Sequence, residues 1–338
     1  MCVLLTHFYF LVNAESFYAK VNRILDYPVI INGTFARYQA NTMEKYLDLI
    51  SNTYTNYAQF LWYQILYPSW HNYFYWVLGA SLVIWGLEIA FPWRKNQPMI
   101  REGFWLDFFY IFWNYFLFSL VLYNAVSGVF VQLFNDFLGL FGIKNLVAIQ
   151  LGALPAWVQL LLIFVIRDFM QYNIHRLLHR YDWMWEFHKV HHSTEVMGFG
   201  GLMRYHFMEH FIYRSLEYLP LAMLGFGISD FFIVYIFTFV AGQLGHANLY
   251  LPLGKLKYLL NGPQMHLWHH AKHFPASHPR GFNFGITLSV WDFLFKTNYW
   301  PDNDAQLAVG LPDADKIEQD FIGQQVGAFK RNGQKMGL

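Results

Sequence analysis

Apolar runs separated by short basic stretches set the pattern of the chain beyond residue 70. The first runs from Tyr73 to Phe91, is closed by Pro92 and is followed by Trp93, Arg94 and Lys95. Its length suits a helix that crosses a bilayer. A second covers about Phe104 to Tyr123, and a third about Ala156 to Tyr172, where a histidine-rich stretch ends it. Phe211 to Gln243 has room for two short helices, with Gly225, Gly227 and Asp230 supplying a turn between them. Val126 to Ile149 is apolar but broken by Gly128, Gly139 and Gly142, a pattern better suited to a re-entrant or interfacial hairpin. The expected fold is all-α, an integral membrane helical bundle of four to five spans with a cytoplasmic helical cap that carries the histidines.

The flanks are more polar. Met1 to Val12 is too short to span and lacks the basic start and small-residue cleavage site of a signal peptide, so it reads as an anchor or a poorly formed signal. Residues 1–70 form an N-terminal membrane-associated segment, with Asn32-Gly33 as a turn and Trp62, Tyr63 and Tyr67 suited to an interfacial belt. Residues 71–300 are the membrane domain. Residues 301–338, with Asp302, Asp304, Asp313, Asp315 and Asp320, read as a cytoplasmic C-terminal tail that forms a soluble cap with a frayed end. Basic residues follow the first span (Arg94, Lys95, Arg101), the third (Arg176, Arg180, Lys189, Arg204) and the paired helices (Lys255, Lys257, Lys272, Arg280, Lys296), whereas the loop before the third span holds only Lys144. Threading the spans places all three basic stretches on one side, the cytoplasmic one.

Composition supports a multi-pass membrane location: 56% of residues are hydrophobic, 21% aromatic and 13% charged. A net charge of +1 gives no reason to invoke nucleic acid. A lone cysteine, Cys2, excludes an internal disulfide framework and a cysteine-ligated metal. Histidine is the ligand in supply. Five of the 15 histidines fall between His175 and His192: His175 and His179 four apart, then His188, His191 and His192. The spacing returns at His266, His269 and His270. Positions three and four apart share a helix face, so each block gathers imidazoles into a small volume, and both lie on one side of the bilayer. Eight imidazoles exceed the needs of one zinc ion, and two metals are more natural. No glutamate has a histidine three residues after it, and no His-Glu-x-x-His occurs. Spacing alone leaves iron, copper and zinc open.

The ordered blocks His-x3-His, His-x2-His-His and His-x2-His-His, framed by apolar spans, resemble the fatty acid hydroxylase and sterol desaturase superfamily of membrane di-iron enzymes. The resemblance covers about Phe164 to Thr297. It includes Asp168, His191-His192-Ser193, Arg204-Tyr205-His206 with Glu209, His246-Ala247-Asn248, Asn283-Phe284-Gly285 and Trp291-Asp292-Phe293-Leu294-Phe295. It implies metal ligation by His175, His179, His188, His191, His192, His266, His269 and His270, with His246 as a ninth ligand. Tyr250 stands where some relatives carry a further histidine, which leaves His206, His210 or neither for a tenth position. Asp168, two helical turns before His175, is expected to orient a ligand imidazole, or to pair with Arg176 or Arg180.

The resemblance further implies two iron ions, O2 as co-substrate, and hydroxylation or desaturation of a fatty acyl, sterol or related lipid drawn from the bilayer. His278-Pro279-Arg280-Gly281 is not the His-Pro-Gly-Gly of a fused cytochrome-b5-like domain. Electrons are therefore expected from a separate donor, cytochrome b5-like or ferredoxin-like, with its reductase. Two other classes fit the histidines less well. A metal transporter calls for polar residues in mid-span, and a zinc hydrolase needs a general base for which Glu186 and Glu195 are the nearest glutamates.

Overall fold

The computed structural model describes residues 42–70, 72–114, 138–142, 151, 154–224, 226, 228–301 and 305–336. The expectations placed on Met1 to Val12, Asn32-Gly33, Gly225, Gly227 and most of Val126 to Ile149 lie outside the described residues. Ten α-helices and no strand are present among the described residues. They are α1 (Thr42–Leu66), α2 (Tyr73–Ala90), α3 (Phe104–Phe112), α4 (Ala156–Arg180), α5 (Asp182–His192), α6 (Phe207–Met223), α7 (Ile228–His246), α8 (Pro263–His269), α9 (Val290–Leu294) and α10 (Phe321–Met336).

Local chemistry sets the ends of the longer helices. Asn72 caps α2 by accepting a hydrogen bond from the Phe74 backbone N–H at 3.0 Å, and Pro92 follows its last turn. Among the described residues α2 is the one helix both long and apolar enough to cross a membrane. Its outer face is bare: Val83 is 63% and Phe91 70% exposed, and Leu82 and Ile89 are exposed beside them. A helix this apolar with so little of it covered has lipid as its natural solvent. The other expected spans take different forms. Described helix in the second ends at Phe112, after nine residues. The third does not stop at the histidines: α4 runs unbroken from Ala156 through His179, because no glycine or proline interrupts it.

α4 is the central element. α6 packs along α4, α7 on its first half and α5 on its second, while α2 and α8 pack on α7. Ile163 meets Leu221 and Val234 toward one end, and Ile174 and Leu178 meet Met184 toward the other. A further core joins Tyr73, Val77 and Ile84 to Tyr235 and Phe239.

The polar C-terminal segment carries a docked helix. α10 docks on α5, burying Gln324, Gln325, Ala328 and Asn332. Tyr110 donates to Gln324 at 2.8 Å, His206 Nε2 lies 2.7 Å from the Gln325 carbonyl, and Arg331 and Lys335 reach the buried Glu186 at 2.8 and 2.6 Å. The spacing of the sequence explains this: Gln324, Ala328, Arg331 and Lys335 lie three to four apart and share the face of α10 that meets α5.

A second tie lies beneath the loop after α5. Asp107, buried, accepts hydrogen bonds from Arg101 at 2.5 Å and from Arg204 at 2.6 Å. Arg101 also donates to the Val196 carbonyl at 2.8 Å, and Arg204 lies 3.4 Å from the Ser193 hydroxyl, so the carboxylate pins the end of the second histidine block. Removing it leaves two buried guanidiniums without their counter-charge. Asp107→Asn is therefore expected to destabilise the detergent-purified protein by about 3–5 kcal/mol, read as a lowered midpoint of denaturant unfolding. Asp182→Asn, at an exposed pair with Arg280, should leave that midpoint unchanged.

Candidate metal centre

The nine sequence-designated histidines gather into two adjoining groups. His175, His179, His188, His192 and His269 form one, and His191, His246, His266 and His270 the other; within each group one ring nitrogen of every residue lies within 4.8 Å of the others. α4 supplies His175 and His179, α5 supplies His188, His191 and His192, α7 ends on His246, and α8 with its C-cap supplies His266, His269 and His270. The groups abut, since the rings of His192 and His270 are 4.4 Å apart between centroids and stacked. All nine are at most 4% exposed.

The outer nitrogens are tethered. His175 Nδ1 lies 2.8 Å from the Phe284 carbonyl, His269 Nδ1 2.7 Å from that of Phe282, and His246 Nδ1 2.8 Å from that of Gly242. His188 Nδ1 meets the Glu209 carboxylate at 3.0 Å. A carbonyl or carboxylate accepts only from N–H, so each of these rings carries its proton on Nδ1 and turns the Nε2 lone pair inward. Ring nitrogens then face one another: His175 Nε2 and His188 Nε2 are 3.1 Å apart, as are His246 Nε2 and His266 Nε2, with His191 Nε2 3.2 Å from His246 Nε2. Nitrogens bound side by side to an ion at about 2.1 Å lie roughly 3 Å apart. Nε2 of His179, His192 and His269 and both nitrogens of His270 are buried with no hydrogen-bond partner. Each neutral ring has one acceptor nitrogen; orphaned ring nitrogens in this number are uncommon in a folded interior, and cations are the partner that would satisfy the acceptors among them. The donor set fits a metal.

Burial pushes every one of the nine imidazoles below the ordinary value of 6.5, to about 4 for His175 and His246, with charge repulsion among neighbouring rings adding to the effect in most of them. Neutral at neutral pH, they keep their lone pairs available.

The loop from Gly281 to Gly285 closes over the five-histidine group. Gly281, at φ +96°, sits so near that a Cβ would fall 2.7 Å from His179 Nδ1. Asp292 holds the loop from behind, accepting the backbone N–H groups of Phe284 and Gly285 at 2.8 Å each and the Thr297 hydroxyl at 2.7 Å; burial pushes its carboxyl up to about 7.

Asp168 does not reach an imidazole. Its carboxylate accepts from Trp291 Nε1 at 2.8 Å and the Thr287 backbone N–H at 3.3 Å, tying α4 to α9 and the loop before it. Seven residues along a helix are about 10 Å, too far for a hydrogen bond to His175. Arg176 and Arg180 are not its hydrogen-bond partners either; Arg176 lies over the Tyr172 ring. The imidazole-orienting carboxylate is Glu209, which the motif Arg204-Tyr205-His206-x-x-Glu209 contained without its role being legible. Burial pushes the Glu209 carboxyl well above the ordinary range.

His206 and His210 stand outside both groups. His206 is tied to α10, and the His210 ring lies 5.5 Å from that of Tyr205. Tyr250 packs on Trp93 and is 46% exposed, so it fills no coordination position. Neither glutamate considered as a hydrolytic base faces the rings: Glu186 is engaged by Lys189, Arg331 and Lys335, and Glu195 is exposed beside Lys272.

Two outcomes are expected. Because the folded imidazoles titrate below the unfolded ones, the unfolded chain takes up protons first as pH falls. The stability of metal-free protein should therefore be fully present above about 6.5 and fall as pH drops from there toward 4, a trend that unfolding midpoints at a series of pH values will show. Glu209→Gln should weaken metal retention by about 10–100-fold in a chelator competition, since an amide holds the His188 proton less firmly.

Residues 160–297 match the family model described as fatty acid hydroxylase. The ornithine lipid hydroxylase OlsE of Rhizobium tropici is 30% identical over 181 residues, 54% of this chain and 53% of that protein. The alkylglycerol monooxygenase of Homo sapiens is 30% identical over 132 residues, covering 38% of this chain and 28% of that one. A very-long-chain aldehyde decarbonylase of Oryza sativa subsp. japonica is 28% identical over 153 residues, covering 44% and 48%. The chain thus spans about half the length of the ornithine lipid hydroxylase and under a third of the alkylglycerol monooxygenases. No solved structure matches it. Family match, relatives and paired histidine groups agree, and the segment that carries both groups belongs to the fatty acid hydroxylase superfamily.

Proposed function

We propose that this protein is a membrane-bound di-iron enzyme that uses O2 to hydroxylate a lipid. The observation that carries the reading is the pair of adjoining, buried, all-imidazole groups at the end of an apolar helical bundle. The relatives named hydroxylase and monooxygenase favour retention of oxygen over desaturation. The nine histidines would hold two iron ions, five ligands to one and four to the other. Iron held there supplies what no side chain can, reductive activation of O2 and removal of hydrogen from an unactivated C–H bond.

The chain's own residues do the rest. The carbonyls of Phe282, Phe284 and Gly242 and the carboxylate of Glu209 fix ring orientation, and Asp292 and Asp168 act as positioning residues for the enclosing loop. Burial of the rings excludes water. A cleft of about 550 Å³ bordered by His179, His192, Lys189, Lys272, His273 and Asp313 gives the polar side an approach to the five-histidine group. Exposed Trp157 and Leu161 of α4 and Ile233 and Phe237 of α7 suit contact with lipid, in a bundle of several spans whose histidine end faces the cytoplasm. Electrons come from a separate donor protein.

A zinc hydrolase requires a general base at the rings, and Glu186 and Glu195 point elsewhere. A transporter requires a polar route through the spans, whereas the buried polar face of α4 ends at Arg167, paired with Glu217, and gives way to the apolar core around Ile163.

Detergent-purified protein should contain near two irons per chain. Cells expressing it should accumulate, only when O2 is present, a lipid one oxygen atom heavier than its precursor, and cells expressing His191→Ala should not. Stoichiometric zinc with turnover independent of O2 would overturn the reading.

A further inference from the structure

A polar stripe continues down α4 from the metal ligands. Arg167, Gln171, His175 and His179 are spaced four apart and so share one helix face, at about 6 Å per step. All four are buried. The upper two face the metal groups; the lower two line a separate cavity of about 90 Å³, enclosed with Tyr205, Glu217, Thr238 and Ile286. Tyr205 joins the two regions, since its ring stacks on His191 at 5.1 Å. Ile286 does so too, two residues beyond the carbonyl that holds His175.

The charges in this cavity are matched. Arg167 donates to Glu217 at 3.2 Å and to Thr238 at 2.5 Å, and it lies over the Tyr235 ring. The cavity therefore offers no free charge to a carboxylate or an amine. What it does offer is Gln171: only 7% exposed, with its side-chain carbonyl Oε1 buried and without a hydrogen-bond partner. A buried orphan acceptor costs free energy unless a donor is brought to it. It lies one turn from a metal ligand, below the polar end of a helix whose first half is apolar. A ligand seated there meets the amide of Gln171 and the apolar walls of Leu202, Phe239 and Ile286 together.

We infer that this cavity receives the neutral polar junction of the lipid substrate, an amide N–H or a hydroxyl, and that Gln171 Oε1 accepts its hydrogen bond. The inference rests on the lipid-oxidising reading and narrows its substrate class. Gln171 is a specificity-determining residue, and oxidation falls near the polar junction, because the anchor is one helical turn from His175. Plain hydrocarbon chains and acceptor-only esters lack the donor that the site requires.

A matched pair of probes isolates that donor. N-methylhexadecanamide carries one N–H, and N,N-dimethylhexadecanamide replaces it with N–CH3 while keeping the chain and carbonyl. Binding of each to the full chain in detergent is measured by the concentration dependence of the thermal unfolding midpoint, with and without iron, so the readout does not depend on turnover. Wild-type protein should prefer the N–H probe by about tenfold. Gln171→Leu should bind both alike, and Gln171→Glu, which restores an acceptor, should recover the preference. Equal binding by wild type, or a preference that survives Gln171→Leu, overturns the inference; if the leucine variant does not fold, the wild-type ratio alone decides. Preference without any O2-dependent product would instead overturn the oxidative reading and leave the amide site standing.

Discussion

Nine neutral imidazoles gathered into two buried, adjoining groups are the constraint to which the rest of the structure answers. Each lone pair is stripped of water, and the rings repel any proton that would relieve them, so the group is an incomplete solvation shell for cations. Its geometry must be imposed from outside. The carbonyls of Phe282 and Phe284, the Glu209 carboxylate and the close backbone at Gly281 impose it from one side. From the other, Asp107 and its two arginines fix the end of the second histidine block. α10 braces α5 from outside through Glu186, so even the acidic segment near residue 320 contributes to holding the rings.

The apolar period and the histidine spacing were legible because each depends on local geometry alone. A helix brings residues four apart to one face whatever surrounds it, so His175 with His179 and His188 with His192 were readable as pairs. Their division between two groups was not, since it depends on how α4, α5, α7 and α8 cross, and His191 parts from its neighbour His192 to join His246. Asp168 shows the opposite failure. A carboxylate on the ligand face looked like a partner for a ring, yet helix rise puts it too far away, and its partner Trp291 lies 123 residues onward. Glu209 was visible as part of a motif, but its contact with His188 exists only because α5 and α6 pack together.

Charge content says little about how the acidic segment is held. The glutamines of α10 carry the burial: Gln324 and Gln325 satisfy their amides on Tyr110, Tyr205 and Phe207, where hydrophobicity alone gives no warning. The number of spans depends on packing in the same way: an apolar run can be a helix bathed in lipid or one packed among others, and among the described residues α2 is the one helix whose length and composition both suit a crossing.

The unbroken course of α4 has one more consequence. Gln171 and His175 are fixed points on a single rigid rod, so their spacing works as a ruler: the distance between anchor and reacting centre is set by helix pitch and not by any loop. Adding one residue between them would rotate the anchor by about 100° away from its cavity. Altering where a chain is oxidised therefore calls for moving the anchor a whole turn along the rod, to Arg167 or beyond, and not for enlarging the cavity around it.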